Sequence, residues 1–168
     1  LARLKISTID ALLLHDPIQL LSNNGNEIWD TLDSFKVSGK VGKIGFSIYS
    51  PEELDLLWNS FRPDIVQVPF NILDRRINDT GWLSKLKKYN VEIHARSVFL
   101  QGLLLMNNNL RPDKFNQWNV IWDEFSQWIS DQKLSPLEGC LAYVDANKEI
   151  DCIVIGVQSV KQLQAIIN

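Results

Sequence analysis

The run ALLLHDP at residues 11–17 takes apolar residues straight into a histidine and an aspartate. An apolar run this short, closed by a proline, is predicted to be a buried strand of a parallel sheet. An ionisable ring at the end of such a strand can hold one nitrogen against a carbonyl oxygen, because a low-dielectric wall limits its freedom, and can move a proton near neutral pH. On the residues alone two roles are open to His15: that one, or a buried histidine hydrogen-bonded to a neighbouring backbone group. Other apolar runs end in the same way, with Ser47 after KIGF, Gln67 and Asn71 in VQVPFN, Arg96 and Ser97 after EIHA, and Gln158 after IVIGV. Singly, each reads as a loop residue capping the next helix. Together, polar groups at the carboxyl ends of several strands are what a barrel with its site on one rim requires. His94, inside its strand and without a motif, reads as structural.

The elements that must position these residues alternate regularly. Strands are predicted at 9–14, 43–48, 64–70, 91–100 and 151–157. Between and after them lie helices at 26–38, from Pro51, and at 79–90, 113–133, 136–146 and 159–167. Helix 26–38 puts Ile28, Trp29, Leu32 and Phe35 on one face, and the tryptophan-rich helix does the same with Trp118, Trp122, Phe125 and Ile129. Ser50, Pro51 and Glu53 form a helix start: an N-cap serine, proline at the first position and acid in the first turn. Strand and helix in unbroken alternation predict a parallel sheet with right-handed crossovers.

Composition bounds the rest. The 168 residues, 45% hydrophobic and 22% charged with six tryptophans, suffice for the core of one soluble domain over 1–168. A formal charge of −3 without any Lys/Arg cluster gives no footprint for nucleic acid or an anionic membrane. No apolar run is long enough to span a bilayer and no leader pattern opens the chain, so a cytoplasmic location is expected. Cys140 and Cys152 lack metal-ligand spacing, which predicts two packed thiols rather than a disulfide, and no metal site.

An open doubly wound sheet and a barrel compete for this pattern. The former would carry a GxGxxG turn after its first strand, which is missing. The polar strand ends shift the balance to a barrel, and the fold class expected is α/β. The segments LLLHDP, GKVGKIGFSIYSPEEL, PDIVQVPFNILDRR, ARSVFLQGLLL and IVIGVQSVKQL, in that order, resemble the aldo-keto reductase superfamily from its fourth barrel strand to its last helix. That resemblance implies a partial (β/α)8 TIM barrel of about five parallel βα units, a nicotinamide cofactor bound without a Rossmann domain, and hydride transfer to or from a carbonyl.

By the resemblance His15 is the tetrad histidine that orients the carbonyl. Ser47 and Gln67 match the serine and glutamine that hold the nicotinamide carboxamide, while Ile48 replaces the asparagine that shares this task. Arg96 stands where many members place a tyrosine that stacks on the nicotinamide, and a guanidinium plane can also stack on a ring. Ser97 matches the serine near the pyrophosphate and Gly102 a glycine of the same loop. Gly156, Gln158, Ser159 and Gln162 occupy the loop and helix start near the adenosine phosphates, where a helix N-terminus offers N–H groups to an anion. Gly156 and Gln162 replace the basic pair that grips the 2′-phosphate in NADP-dependent members, so both NADP and NAD stay open.

The tetrad aspartate, tyrosine and lysine of the family precede its fourth strand, and none of Tyr49, Tyr89 and Tyr143 falls at the tyrosine motif. With Leu1 rather than methionine first, the chain is expected to be a fragment of a reductase that acts on a small-molecule carbonyl, inactive alone. An inactive barrel-derived subunit for cofactor binding or interaction is the alternative, and another phosphate-binding barrel enzyme, such as a sugar isomerase, a third. Five strands cannot close a barrel. An open sheet is expected, with apolar edges at 9–14 and 151–155 and an apolar inner face, through which the chain would self-associate.

Overall fold

In the segment IVQVP, Val66 and Val68 are fully buried whereas Gln67 between them is only partly so. This period of two sets the two faces of the sheet. The computed structural model describes residues 1–167, in which five strands lie parallel and in chain order: β1 (Ile9–Leu14), β2 (Val41–Ser47), β3 (Ile65–Pro69), β4 (Glu92–Arg96) and β5 (Cys152–Ile153). Seven helices accompany them among these residues: α1 (Gly25–Val37), α2 (Pro51–Leu57), α3 (Arg76–Asp79), α4 (Trp82–Lys88), α5 (Asn119–Asp131), α6 (Pro136–Asp145) and α7 (Val160–Ile167). The sheet is open, the strand-and-helix order of part of a β/α barrel.

The helix-facing side of the sheet, with Phe46, Val66, Val68, Ile93 and Ala95, packs on Leu54, Leu57, Leu83 and Leu86 in one continuous core. A β-carbon on Gly45 would stand 1.8 Å from the Ile65 carbonyl oxygen, so only glycine allows β2 and β3 this close. Helix starts follow the sequence signals. Ser50 N–H donates to Glu53 Oε1 (3.2 Å) before Pro51. At α6 Ser135 N–H donates to Glu138 Oε2 (2.7 Å) while Glu138 N–H donates back to Ser135 Oγ (3.2 Å), a reciprocal cap of the kind that contributes about 1 kcal/mol. Arg111 organises the long connection before α5 by donating to the carbonyls of Leu103 (3.4 Å) and Met106 (3.2 Å) with its guanidinium over Trp122.

Several expectations are corrected. The fourth strand ends at Arg96, because Ser97 takes a φ of +59° and carries the chain off the sheet. That leaves the fifth strand little to pair with: its ladder is His94 to Cys152 and Ala95 to Ile153, closed by Val154 N–H on the Ala95 carbonyl (2.8 Å). The tryptophan-rich segment starts as a 3-10 turn over Asp113–Trp118, which leaves Trp118 exposed, and Phe35 is exposed as well. Cys140 is packed, its thiol pushed up to about 11 by burial, but Cys152 is exposed on the short edge strand. The inner face is mixed rather than apolar throughout, with Ala11, Leu13 and Ile65 on it by register. By the period of two it carries Lys43, Ser47, Gln67, Glu92, His94 and Arg96, with Glu92 bonded to both Lys43 and His94 Nε2.

With β5 reduced to two residues, β1 is the sheet's long free edge, and its six residues hold no proline and one charge, Asp10. Such an edge invites pairing with another chain. Light scattering after size exclusion is expected to give a mass above the monomer that rises with concentration, and Leu13→Lys should lower it. A monomer mass at every concentration would show that β1 does not pair.

Candidate active site

The register of the sheet brings the ends of four strands to one rim. Leu14 pairs with Phe46, Ser47 with Gln67 and Pro69 with Arg96. His15, Ser47, Gln67, Arg96 and Ser97 therefore gather at the same end. Ser47, nearly buried, donates its hydroxyl to Gln67 Oε1 (3.1 Å), which leaves the Gln67 amide NH2 as its remaining donor. Asn71 is buried beneath the rim, donating to the Ser97 carbonyl (3.0 Å) and accepting from the N–H groups of Leu73 (2.9 Å) and Asp74 (2.8 Å). It fixes the turn rather than facing a ligand.

Arg96 is the centre of the rim. Its Nη2 donates to the Ile48 carbonyl (3.0 Å), its Nη1 to Ser97 Oγ (3.1 Å), and its guanidinium carbon lies 4.7 Å from the centre of the Tyr49 ring. Its Nε is buried without a partner, and none of the ion pairs among the described residues includes it. Tyr49 then reaches His15: the phenol oxygen and His15 Nε2 are 3.3 Å apart, with the rings edge to face. Tyr49 falls at no sequence motif; its only local signal is its place two positions after Ser47, just past the end of β2. His15 itself is exposed and has no wall of low dielectric on its outer side, because β1 is an edge strand.

The backbone of Tyr49 is held from two sides. Its N–H donates to Glu53 Oε1 (3.0 Å) and its carbonyl accepts from Arg76 Nη2 (3.3 Å). Arg76 in turn grips Asp74 through two bonds of 2.8 Å, and this guanidinium holds the Asp74 carboxyl below its ordinary value.

From Ser97 a groove of about 730 Å³ runs to the end of the sheet, bordered by Ser97, Gly102, Pro136, Gly156, Gln158 and Gln162. Its near wall is the loop after β4, where Ser97, Leu100, Gln101 and Gly102 all have positive φ. At the far end Ser159 is used as a cap, its Oγ accepting from Gln162 N–H (3.2 Å), and Gln162 Oε1 accepts from Gln158 N–H (2.7 Å). Two of the amides expected to be free for an anion are thus already bonded. The donors fit a nicotinamide dinucleotide in kind: neutral amide and hydroxyl groups beside one guanidinium with an orphaned N–H, with Ser97 shared between this rim and the groove. Among the described residues no three His, Cys, Asp or Glu side chains cluster to hold a metal, and no helix is long and apolar enough to cross a membrane.

A model of the aldo/keto reductase family matches residues 1–168. No curated protein matches the chain. Among solved structures, the holo form of an aldo-keto reductase from Bacillus halodurans is similar with a TM-score of 0.75 and 20% identity, over 99% of this chain and 56% of that one. The glycerol dehydrogenase from Gluconobacter oxydans gives 0.67 and 21%, over 98% of this chain and 59% of that one. The chain spans a little over half the length of these structures, and the likeness at such identity is one of fold.

The Asp74–Arg76 pair predicts an acid dependence. A lowered carboxylate contributes stability that is present above its ordinary value of 3.8 and is lost as pH falls from there through the lower folded value. Asp74→Asn is expected to lower Tm at neutral pH and to flatten the fall in Tm on acidification. Parallel Tm profiles for the two chains would show that the pair does not stabilise the fold.

Proposed function

The chain belongs to the aldo/keto reductase family, and from that premise we propose that its rim binds NADP or NAD beside a small-molecule carbonyl and serves reduction of that carbonyl or the reverse oxidation. The observation that carries this reading is one continuous series of contacts, His15 to Tyr49 to Arg96 to Ser97, that leads into the groove.

A bound nicotinamide supplies the hydride. In this reading Gln67, steadied by Ser47, offers its NH2 to the carboxamide. Arg96 presents its planar face to the ring, and Ser97 and Gly102 border the pyrophosphate. Gly156, Gln158 and Gln162 line the adenosine end, with Ser159 holding the helix start beneath it. His15 Nε2, which meets a phenol oxygen at 3.3 Å, is placed to meet a carbonyl oxygen instead and to hold a proton there. The reading of a binding subunit without chemistry draws on a different observation: the contacts of His15 and Tyr49 among the described residues include no lysine to sharpen the phenol as an acid.

Titration of the chain with NADPH and NADH tests the reading. At least one is expected to bind, and Gln67→Ala should weaken it by about tenfold, the worth of one well-made hydrogen bond, while ADP binding stays unchanged. Failure of both cofactors to bind would remove the cofactor reading of this rim. The 168 residues alone are expected to bind without turnover. Carbonyl-dependent loss of reduced-nicotinamide absorbance, abolished by His15→Ala, would show that the chain already holds its own acid.

A further inference from the structure

We infer that Arg96 makes the nicotinamide end of the groove select by charge, so that the neutral, reduced ring binds in preference to the oxidised, cationic one. The inference rests on the cofactor reading above and deepens it.

Its basis is a cation that no carboxylate among the described residues pairs with directly. Arg96 is half-buried and bonded to two neutral acceptors, the Ile48 carbonyl and Ser97 Oγ, with its Nε orphaned. The nearby acids are engaged elsewhere. Asp74 is held by Arg76 through two bonds of 2.8 Å, and its carboxyl is lowered first by that guanidinium and last by the charge of Arg96. Glu53 turns its Oε1 to the N–H groups of Tyr49 (3.0 Å) and Ser50 (3.2 Å) at the start of α2. The third neighbour, Tyr49, covers the guanidinium with a π face, which fixes its plane without removing its charge.

A flat ring entering beside this pair meets a fixed positive charge at contact distance. The dihydronicotinamide is uncharged and keeps the stacking contact; the oxidised ring carries a positive charge and is repelled. In a half-exposed site such repulsion amounts to roughly a tenfold difference in affinity at low salt, and less as salt screens it. A tenfold preference for the reduced form raises the potential of the bound two-electron couple by about 30 mV. The site is thereby biased to load reduced cofactor and to release it once oxidised.

The test is equilibrium binding of NADPH, NADP, NADH and NAD to the 168-residue chain at low and high salt, with ADP-ribose, which lacks the nicotinamide, as control. The unaltered chain should bind a reduced form roughly tenfold more tightly than its oxidised partner, with the ratio falling as salt rises. Arg96→Gln should bring the ratio near one, any loss of affinity seen with ADP-ribose being shared equally by both redox forms, and Arg96→Lys should keep the ratio. Equal affinity for both redox forms, or a preference that survives Arg96→Gln, overturns the inference and leaves the cofactor reading standing. Binding of none of the four overturns both. Should Arg96→Gln not fold, the salt dependence of the ratio in the unaltered chain decides: a preference indifferent to salt overturns the inference.

Discussion

The end of β4 is the point on which the rim depends. Arg96 pairs with Pro69 of β3, donates to the carbonyl of Ile48 just past β2, and packs on the ring of Tyr49, which reaches the histidine after β1. One side chain thus links four consecutive strand ends. The next residue, Ser97, turns to a left-handed backbone, a conformation that costs about 1 kcal/mol or more for a residue with a β-carbon. The cost is offset by what the turn meets: Asn71 donates to its carbonyl and Arg96 to its hydroxyl. The turn also ends the ladder to β5, so the geometry that opens the groove is the geometry that shortens the last strand.

Stability and function are divided across the molecule accordingly. The helix-facing side of β2, β3 and β4 is sealed by α2 and α4, with Phe46, Leu54, Val66, Leu86 and Ile93 all fully buried. The inner face sets polar residues among apolar ones: Lys43 and Glu92 low down beside Ala11, Leu13 and Ile65; Ser47, Gln67 and His94 above; and Arg96 at the rim. Near the groove, packing thins: among its described residues α7 buries none fully. Segments with few buried contacts open most easily, and binding loops are drawn from such segments.

Much of this was legible in the sequence, and for a physical reason. Apolar runs of strand length alternating with helical spacing allow few solutions, and Val66, Val68, Ile93 and Ala95 followed the expected pattern into the core. The gathering of His15, Ser47, Gln67, Arg96 and Ser97 at one rim was legible too, since each ends a strand of a parallel sheet. What was not legible depends on contacts distant in sequence. The length of β5 depends on the backbone angle of Ser97, which no local signal at 151–157 reports. The use of Ser159 as a cap follows from where Gln162 turns, and the exposure of His15 follows from β1 being an edge. Tyr49 is an intermediate case: its place two positions after Ser47 is visible, but its contact with His15 needs the pairing of β1 with β2.

The most direct measurement of the central claim is the position of the nicotinamide ring itself. Nuclear Overhauser contacts between reduced cofactor and the chain, read in a sample with assigned side-chain protons, locate it. Contacts from the nicotinamide protons to the side chains of Arg96 and Gln67, with adenine contacts elsewhere in the groove, are the expected result. Nicotinamide protons that touch none of Tyr49, Arg96 and Gln67 would contradict the placement of the reactive ring on this rim.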